Sequence, residues 1–122
     1  MQQTGSRTEI SREMRECIQL CQDCHSICLE TLLHCLQMGG HHAEADHIGL
    51  LADCAEICQT SANFMLRGSQ LHTRTCEACA EVCRRCADDC ERIDPGDEMM
   101  ARCAQLCRRC AESCQTMASP AM

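Results

Sequence analysis

The sequence predicts an all-α fold: an antiparallel up-down four-helix bundle with a cysteine-lined core. Three observations carry this expectation. Cysteines recur at steps of three and four residues, as in CIQLCQDCHSIC from Cys17 to Cys28, the spacing of one helical stripe turned toward partners in a bundle. Glycine and proline cut the chain into four segments of similar length, at Gly39-Gly40, at Gly68 and at Asp94-Pro95-Gly96-Asp97. The connections are short, which favours antiparallel neighbours.

The first helix is expected over about 9–38, with Cys17, Cys21, Cys24, Cys28 and Cys35 on one face. The second, expected over about 43–67, carries Cys54 and Cys58 on a stripe that extends through His47 and Leu51 toward Ser61 and Met65. The third, over about 70–93, starts behind Ser69 as N-cap and presents Cys76, Cys79, Cys83, Cys86 and Cys90. The fourth, over about 95–117, is expected to use Asp94 as N-cap with Pro95 in the first helical position, and it presents Cys103, Cys107, Cys110 and Cys114. The last two helices share the string CRRCA and the same cysteine spacing, which suggests a diverged internal pair. The whole length, 1–122, suits one domain.

Composition narrows the function. Sixteen of 122 residues are cysteine, while Phe64 is the only aromatic residue apart from histidine. That level of cysteine points to a disulfide scaffold or a metal site. A net charge of -7 argues against a nucleic-acid partner. Arg84-Arg85 and Arg108-Arg109 read as solvated helix faces among acidic residues. No stretch has the length of apolar residues that a membrane span needs, and MQQTGSRTEISREMREC lacks the apolar core of an export signal. The expected location is therefore cytoplasmic, where thiols stay reduced and disulfides are disfavoured. No serine elbow, phosphate-binding loop or HExxH is present, so no enzyme activity is expected.

The thiol stripe itself points to metal. Cysteine is small and buries little apolar area, so a core selected for stability alone would hold Leu, Ile or Phe at these positions. CxxxC pairs outnumber CxxC pairs, and sulfurs one helical turn apart can hold one ion between two soft ligands. Thiolate and thioether donors select Cu(I). Buried thiolates need a cation each, and bridging sulfurs allow on the order of 16 Cu(I) per chain, about one per cysteine. The alternatives are an iron-sulfur bundle in electron transfer, which would use only a few cysteines, and a zinc-binding structural module that would stop near about four ions. The ferredoxin run CxxCxxCxxxC does not occur.

From about Glu9 to Met117, the four-helix pattern, the repeated CxxxC pairs and the stretch His34-Cys35-Leu36-Gln37-Met38 resemble the bacterial copper storage proteins, in particular their cytosolic members. The resemblance implies a core filled with Cu(I), association into homotetramers, and traffic with copper chaperones or copper enzymes. It also implies one end of the bundle where copper is admitted past His and Met donors. Carried over by position, that mouth comprises His34, Met38, His41, His42 and His47, with Met99 and Met100 arriving from the fourth helix. His25 reads as a solvated surface histidine. Met14, Met65, His72 and Met117 fall near the opposite end.

Overall fold

The computed structural model of the chain describes residues 9–119. Four α-helices run α1 (Arg12–Met38), α2 (Ala45–Leu66), α3 (His72–Ile93) and α4 (Glu98–Ala118), with a short 3-10 turn at Gly40–Ala43 before α2. Cross-helix contacts fix the topology. Cys17 meets Cys114 while Cys28 meets Cys103, so α1 and α4 run in opposite directions. Cys54 meets Cys83 while Ser61 meets Cys76, so α2 and α3 do the same. The bundle is up-down and antiparallel, as expected. Among the described residues, no helix is long and apolar enough to cross a membrane.

The helices begin later than the sequence suggests, and at α1 and α4 the start is set by a side chain that caps the first turn. Ser11 accepts from the Met14 N–H at 3.1 Å and sets the start of α1. For α4 the cap is Asp97, whose Oδ1 accepts from the Met100 N–H at 2.9 Å. Asp94 instead closes the preceding turn, accepting from the Gly96 N–H at 3.2 Å, and Pro95 lies in that turn rather than in the helix. Ser69 likewise serves the turn before α3: its Oγ accepts from the Leu71 N–H and its carbonyl from the His72 N–H. Gly40–Ala43 forms a separate 3-10 turn, so Ala43 belongs to that turn and α2 starts at Ala45.

Two helices, α1 and α2, end at glycine. Gly68 has φ +68, and the two bonds Ser69 N–H to Phe64 O and Gly68 N–H to Met65 O close α2 with its last carbonyls satisfied. Gly39, at φ +74, ends α1 through its N–H to the Cys35 carbonyl.

The core is a file of sulfurs with small residues around it. Buried alanines, Ala80 and Ala87 on α3 and Ala104 and Ala111 on α4, lie beside the cysteines of the most extensive helix pair. Leu20, Leu50 and Ile57 pack against the edges of this core, on the flanks between helices. His25 is not a solvated surface residue: it is half-buried, and its Nδ1–H donates to the Ala55 carbonyl at 2.7 Å, tying α1 to α2. One stripe position on α1 departs from the pattern. Thr31 is fully buried, and its hydroxyl has no hydrogen-bond partner among the described residues.

The capping assignment is testable. Asp97→Ala is expected to lower the stability of the reduced apoprotein by about 1 kcal/mol through loss of the N-cap. Asp94→Ala, which leaves that cap in place, is expected to cost less. Urea unfolding followed by circular dichroism compares the two.

Candidate metal centre

Because each helix repeats its cysteines in threes and fours, four stripes meet along the axis and their sulfurs interleave. All sixteen cysteines are free and buried. Between α1 and α4 the Sγ separations are 3.7 Å for Cys17–Cys114, 3.5 Å for Cys21–Cys114 and 3.6 Å for Cys24–Cys107. Between α2 and α3, Cys54–Cys83, Cys58–Cys83 and Cys58–Cys79 each stand at 3.6 Å. Cys24 closes the ring across the axis, 4.0 Å from both Cys54 and Cys83.

These contacts assemble overlapping tetrads whose four sulfurs all lie within 4.8 Å of one another. Five of them form a run down the axis. Cys28, Cys86, Cys103 and Cys107 come first, followed by Cys24, Cys28, Cys54 and Cys107, then Cys24, Cys54, Cys58 and Cys83. Cys58, Cys79, Cys83 and Cys110 follow, and Cys21, Cys79, Cys110 and Cys114 complete the run. Each tetrad shares two sulfurs with the next. Closed four-ligand sites use each sulfur once, so neighbouring tetrads would exclude each other. Bridging thiolates suit the shared pairs instead.

Side-chain hydrogen bonds with Cys107, Cys24 and Cys28 hold the Cys54 thiol below the ordinary range. Cys83, in contact with Cys107, Cys110 and Cys24, is pushed above it. A first thiolate is stabilised by neighbouring S–H groups, and its charge makes the next ionisation harder. A cation removes that obstacle, since it neutralises charge that a dry core cannot solvate.

At one end the donors change. Around the Cys35 sulfur stand His47 Nε2 at 3.4 Å, Met100 Sδ at 3.4 Å and His42 Nδ1 at 3.6 Å. All four residues are buried. Each imidazole is held on its far side by a carboxylate: His47 Nδ1 by Asp89 at 2.8 Å and His42 Nε2 by Asp94 at 3.0 Å. Burial raises the Asp89 carboxyl, but hydrogen bonds from His47 and Arg92 outweigh it and hold the group below the usual range. Asp89 is therefore an acceptor, His47 Nδ1 carries the hydrogen, and Nε2 turns its lone pair toward Cys35. The Cys35 thiol itself is pushed up to about 11, chiefly by burial and then by the charge of Asp97. A groove of about 300 Å³, lined by Cys90, Glu91, Asp94, Pro95, Met100 and Ala101 among others, leads to this end from the α3–α4 turn.

The sequence-derived mouth residues separate into groups. His42, His47 and Met100 converge on Cys35. His34 stands behind them, its Nε2 on Asp97 at 2.7 Å and its ring edge-on to His42 at 5.9 Å. His41 is exposed and pairs with Glu44, Met38 is exposed, and Met99 is half-buried beside the site rather than in it. At the opposite end Cys76 lies 3.8 Å from Met65 Sδ and 3.2 Å from Ser61 Oγ, and His72 Nδ1–H donates to the Ser69 carbonyl. Sequence reasoning missed the carboxylates. Asp94 was visible as a helix-start residue, but no spacing pairs Asp97, Asp94 and Asp89 with histidines 63, 52 and 42 positions away.

The sequence profile described as "Csp: Copper storage protein" matches residues 10–119. The chain belongs to the copper storage protein family. Among solved structures it resembles Nmul_A1745 of Nitrosospira multiformis, at 47% identity and TM-score 0.81 over 88% of this chain and 95% of that one. It also resembles the Cu(I)-bound copper storage protein BsCsp3, at 30% identity and TM-score 0.81 over 88% and 100%. A cytosolic copper storage protein from Streptomyces lividans, described with five coppers, aligns at 28% identity and TM-score 0.77 over 90% and 95%. No curated protein sequence matches the chain.

Sealed burial of every thiol has a direct chemical consequence. In the native, reduced apoprotein the sixteen cysteines are expected to react with a thiol reagent only slowly, and rapidly and in full after denaturant is added. Fast titration of many thiols under native conditions would contradict the packed core.

Proposed function

We propose that this chain stores Cu(I) in the cytoplasm, holding it on Cys17, Cys21, Cys24, Cys28, Cys35, Cys54, Cys58, Cys76, Cys79, Cys83, Cys86, Cys90, Cys103, Cys107, Cys110 and Cys114. The observation that supports this most strongly is the run of tetrads sharing sulfurs in pairs. Edge-sharing suits a soft monovalent ion bridged by thiolates, with about one cation per thiolate leaving the core neutral. Copper is admitted at the end carrying Cys35, His42, His47 and Met100, with His34 in support. His41, Met38 and Met99 belong to its surroundings. Copper chaperones or copper enzymes are the exchange partners, and storage needs no catalysis.

Self-association as a homotetramer goes with this reading. Leu29, Leu33 and Leu36 form an exposed apolar stripe on α1 at helical spacing, Leu33 being 57% exposed. Such a patch on a small protein marks an interface. The stripe is distinct from Leu20, Leu50 and Ile57, which are spent on contacts within the bundle.

Anaerobic titration of the reduced apoprotein with Cu(I), followed by desalting and metal quantitation, tests storage. Retention on the order of one ion per cysteine is expected, as thiolate bridging permits. Cys54→Ser is expected to remove about one ion, since one thiolate neutralises one cation. Saturation near about four ions would point to closed tetrahedral sites instead. Each ion bound displaces thiol protons. At Cys35, whose thiol lies at about 11, affinity is therefore expected to rise with pH about tenfold per unit for each proton released, levelling off above that value. Sedimentation of the same sample is expected to report a tetramer.

A further inference from the structure

The thiol stripes do not run unbroken along the bundle. Between the contact of Cys24 with Cys54, at 4.0 Å, and that of Cys35 with His47, at 3.4 Å, the inward positions left after Cys28 are Thr31 on α1 and Leu51 on α2. Both are fully buried. Neither side chain offers a soft donor. The Thr31 hydroxyl has no hydrogen-bond partner among the described residues, so it is desolvated with nothing to offset the loss. A thiol at this position would have continued the stripe. Past the break, Cys35 hydrogen-bonds to no thiol among the described residues, its partners being His42, His47 and Met100.

The opposite flank keeps its sulfurs. On α3, Cys90 lies one turn past Cys86 and has Cys103 and Cys86 as its hydrogen-bonding neighbours. Cys90 is buried, yet it borders the groove of about 300 Å³ beside the α3–α4 turn, together with Met100, Glu91 and Asp94. Cys103 in turn shares a tetrad with Cys28, Cys86 and Cys107. A line of thiols therefore joins the groove to the interior along α3 and α4, through Cys90 and Cys103, while Thr31 and Leu51 interrupt it along α1 and α2.

An ion inside such a core moves by ligand exchange. Bare Cu(I) in a dry apolar layer has no solvent to replace its ligands, so the sulfur ahead must bind before the sulfur behind lets go. Each step forms one Cu–S bond and breaks another, and the proton of the incoming thiol passes to the thiolate left behind. No electron is transferred. Where one flank of a layer lacks sulfur, the ions are confined to the other.

We propose that Thr31 and Leu51 form a barrier to Cu(I) movement along the bundle and that Cys90 carries ions past it, so that the rate of filling and emptying is set at this level. This control of rate rests on the Cu(I) storage reading and is distinct from capacity.

The full-length protein is loaded anaerobically with Cu(I) and mixed with an excess of a coloured Cu(I) chelator, whose absorbance reports release with time. Cys90→Ser is expected to retain about one ion fewer, since one thiolate neutralises one cation. It is expected to release the remainder about tenfold more slowly, the effect of a barrier higher by about 1.4 kcal/mol. Cys58→Ser, on the inner side of the barrier, is expected to lose one ion in the same way and to keep the wild-type rate. Thr31→Cys supplies a sulfur on the blocked flank and is expected to release copper about tenfold faster. Thr31→Val, which keeps the shape and removes only the hydroxyl, is expected to keep the wild-type rate. Circular dichroism verifies that each variant is folded. A wild-type rate in folded Cys90→Ser, or a rate in folded Thr31→Cys no greater than in Thr31→Val, would overturn the proposal. A wild-type capacity near about four ions would instead remove the storage reading, so the two failures are told apart.

Discussion

Contact between sulfurs across the bundle axis is the constraint on which the rest of the structure depends. Thiol side chains are short, so four helices must approach closely for Sγ atoms to stand 3.5 to 4.0 Å apart. That demand explains the buried alanines beside the cysteines, the near absence of aromatic residues, and stripes that keep their phase on every helix. A core of this kind forgoes much of the stabilisation that large apolar side chains supply. The remaining support lies at the edges, in partly buried Leu and Ile, and in well-formed helix ends such as Ser11, Asp97 and Gly68.

The same constraint gives the molecule its polarity. Down the axis the ligands are uniform and each tetrad passes two sulfurs to the next. Toward the α3–α4 turn the stripe on α2 substitutes Leu51 and then His47, and α1 substitutes Thr31 before Cys35. The thiol file thus narrows on one side before it reaches the mixed donors. Carboxylates appear at that end, where solvent is near enough to stabilise their charge and a groove reaches Met100 and Cys90. Among the described residues, nothing equivalent stands at the other end, where Met65, Ser61 and His72 make contacts with neighbouring side chains and backbone.

Much of this was legible beforehand because helical periodicity is a local property. The steps of three and four place cysteines on one face whatever the partner helix is, so the bundle and its lining follow from spacing alone. Element starts were less legible. Asp94-Pro95 carries every mark of a helix start, yet Asp97 takes that role while Asp94 turns toward Gly96 and His42. Two acceptable caps three residues apart are distinguished only by what the earlier one can do elsewhere. His25 illustrates the same limit, since a residue beside the stripe finds a carbonyl on the next helix.

By itself, the sequence determined the four helices, the sulfur-lined interior and the soft-metal chemistry, because each depends on residue type and on separations within one helical segment. Only the tertiary structure decided which donors meet. His42 reaches Cys35 because the 3-10 turn at Gly40–Ala43 folds back over the bundle end, whereas His41, its neighbour in the chain, faces solvent. Asp89 and Asp94 reach histidines from α3 and the turn beyond it, at distances set by helix packing and not by chain spacing. Donor convergence is a property of the assembled bundle, since ligands drawn from separate helices acquire a common centre only once those helices have packed.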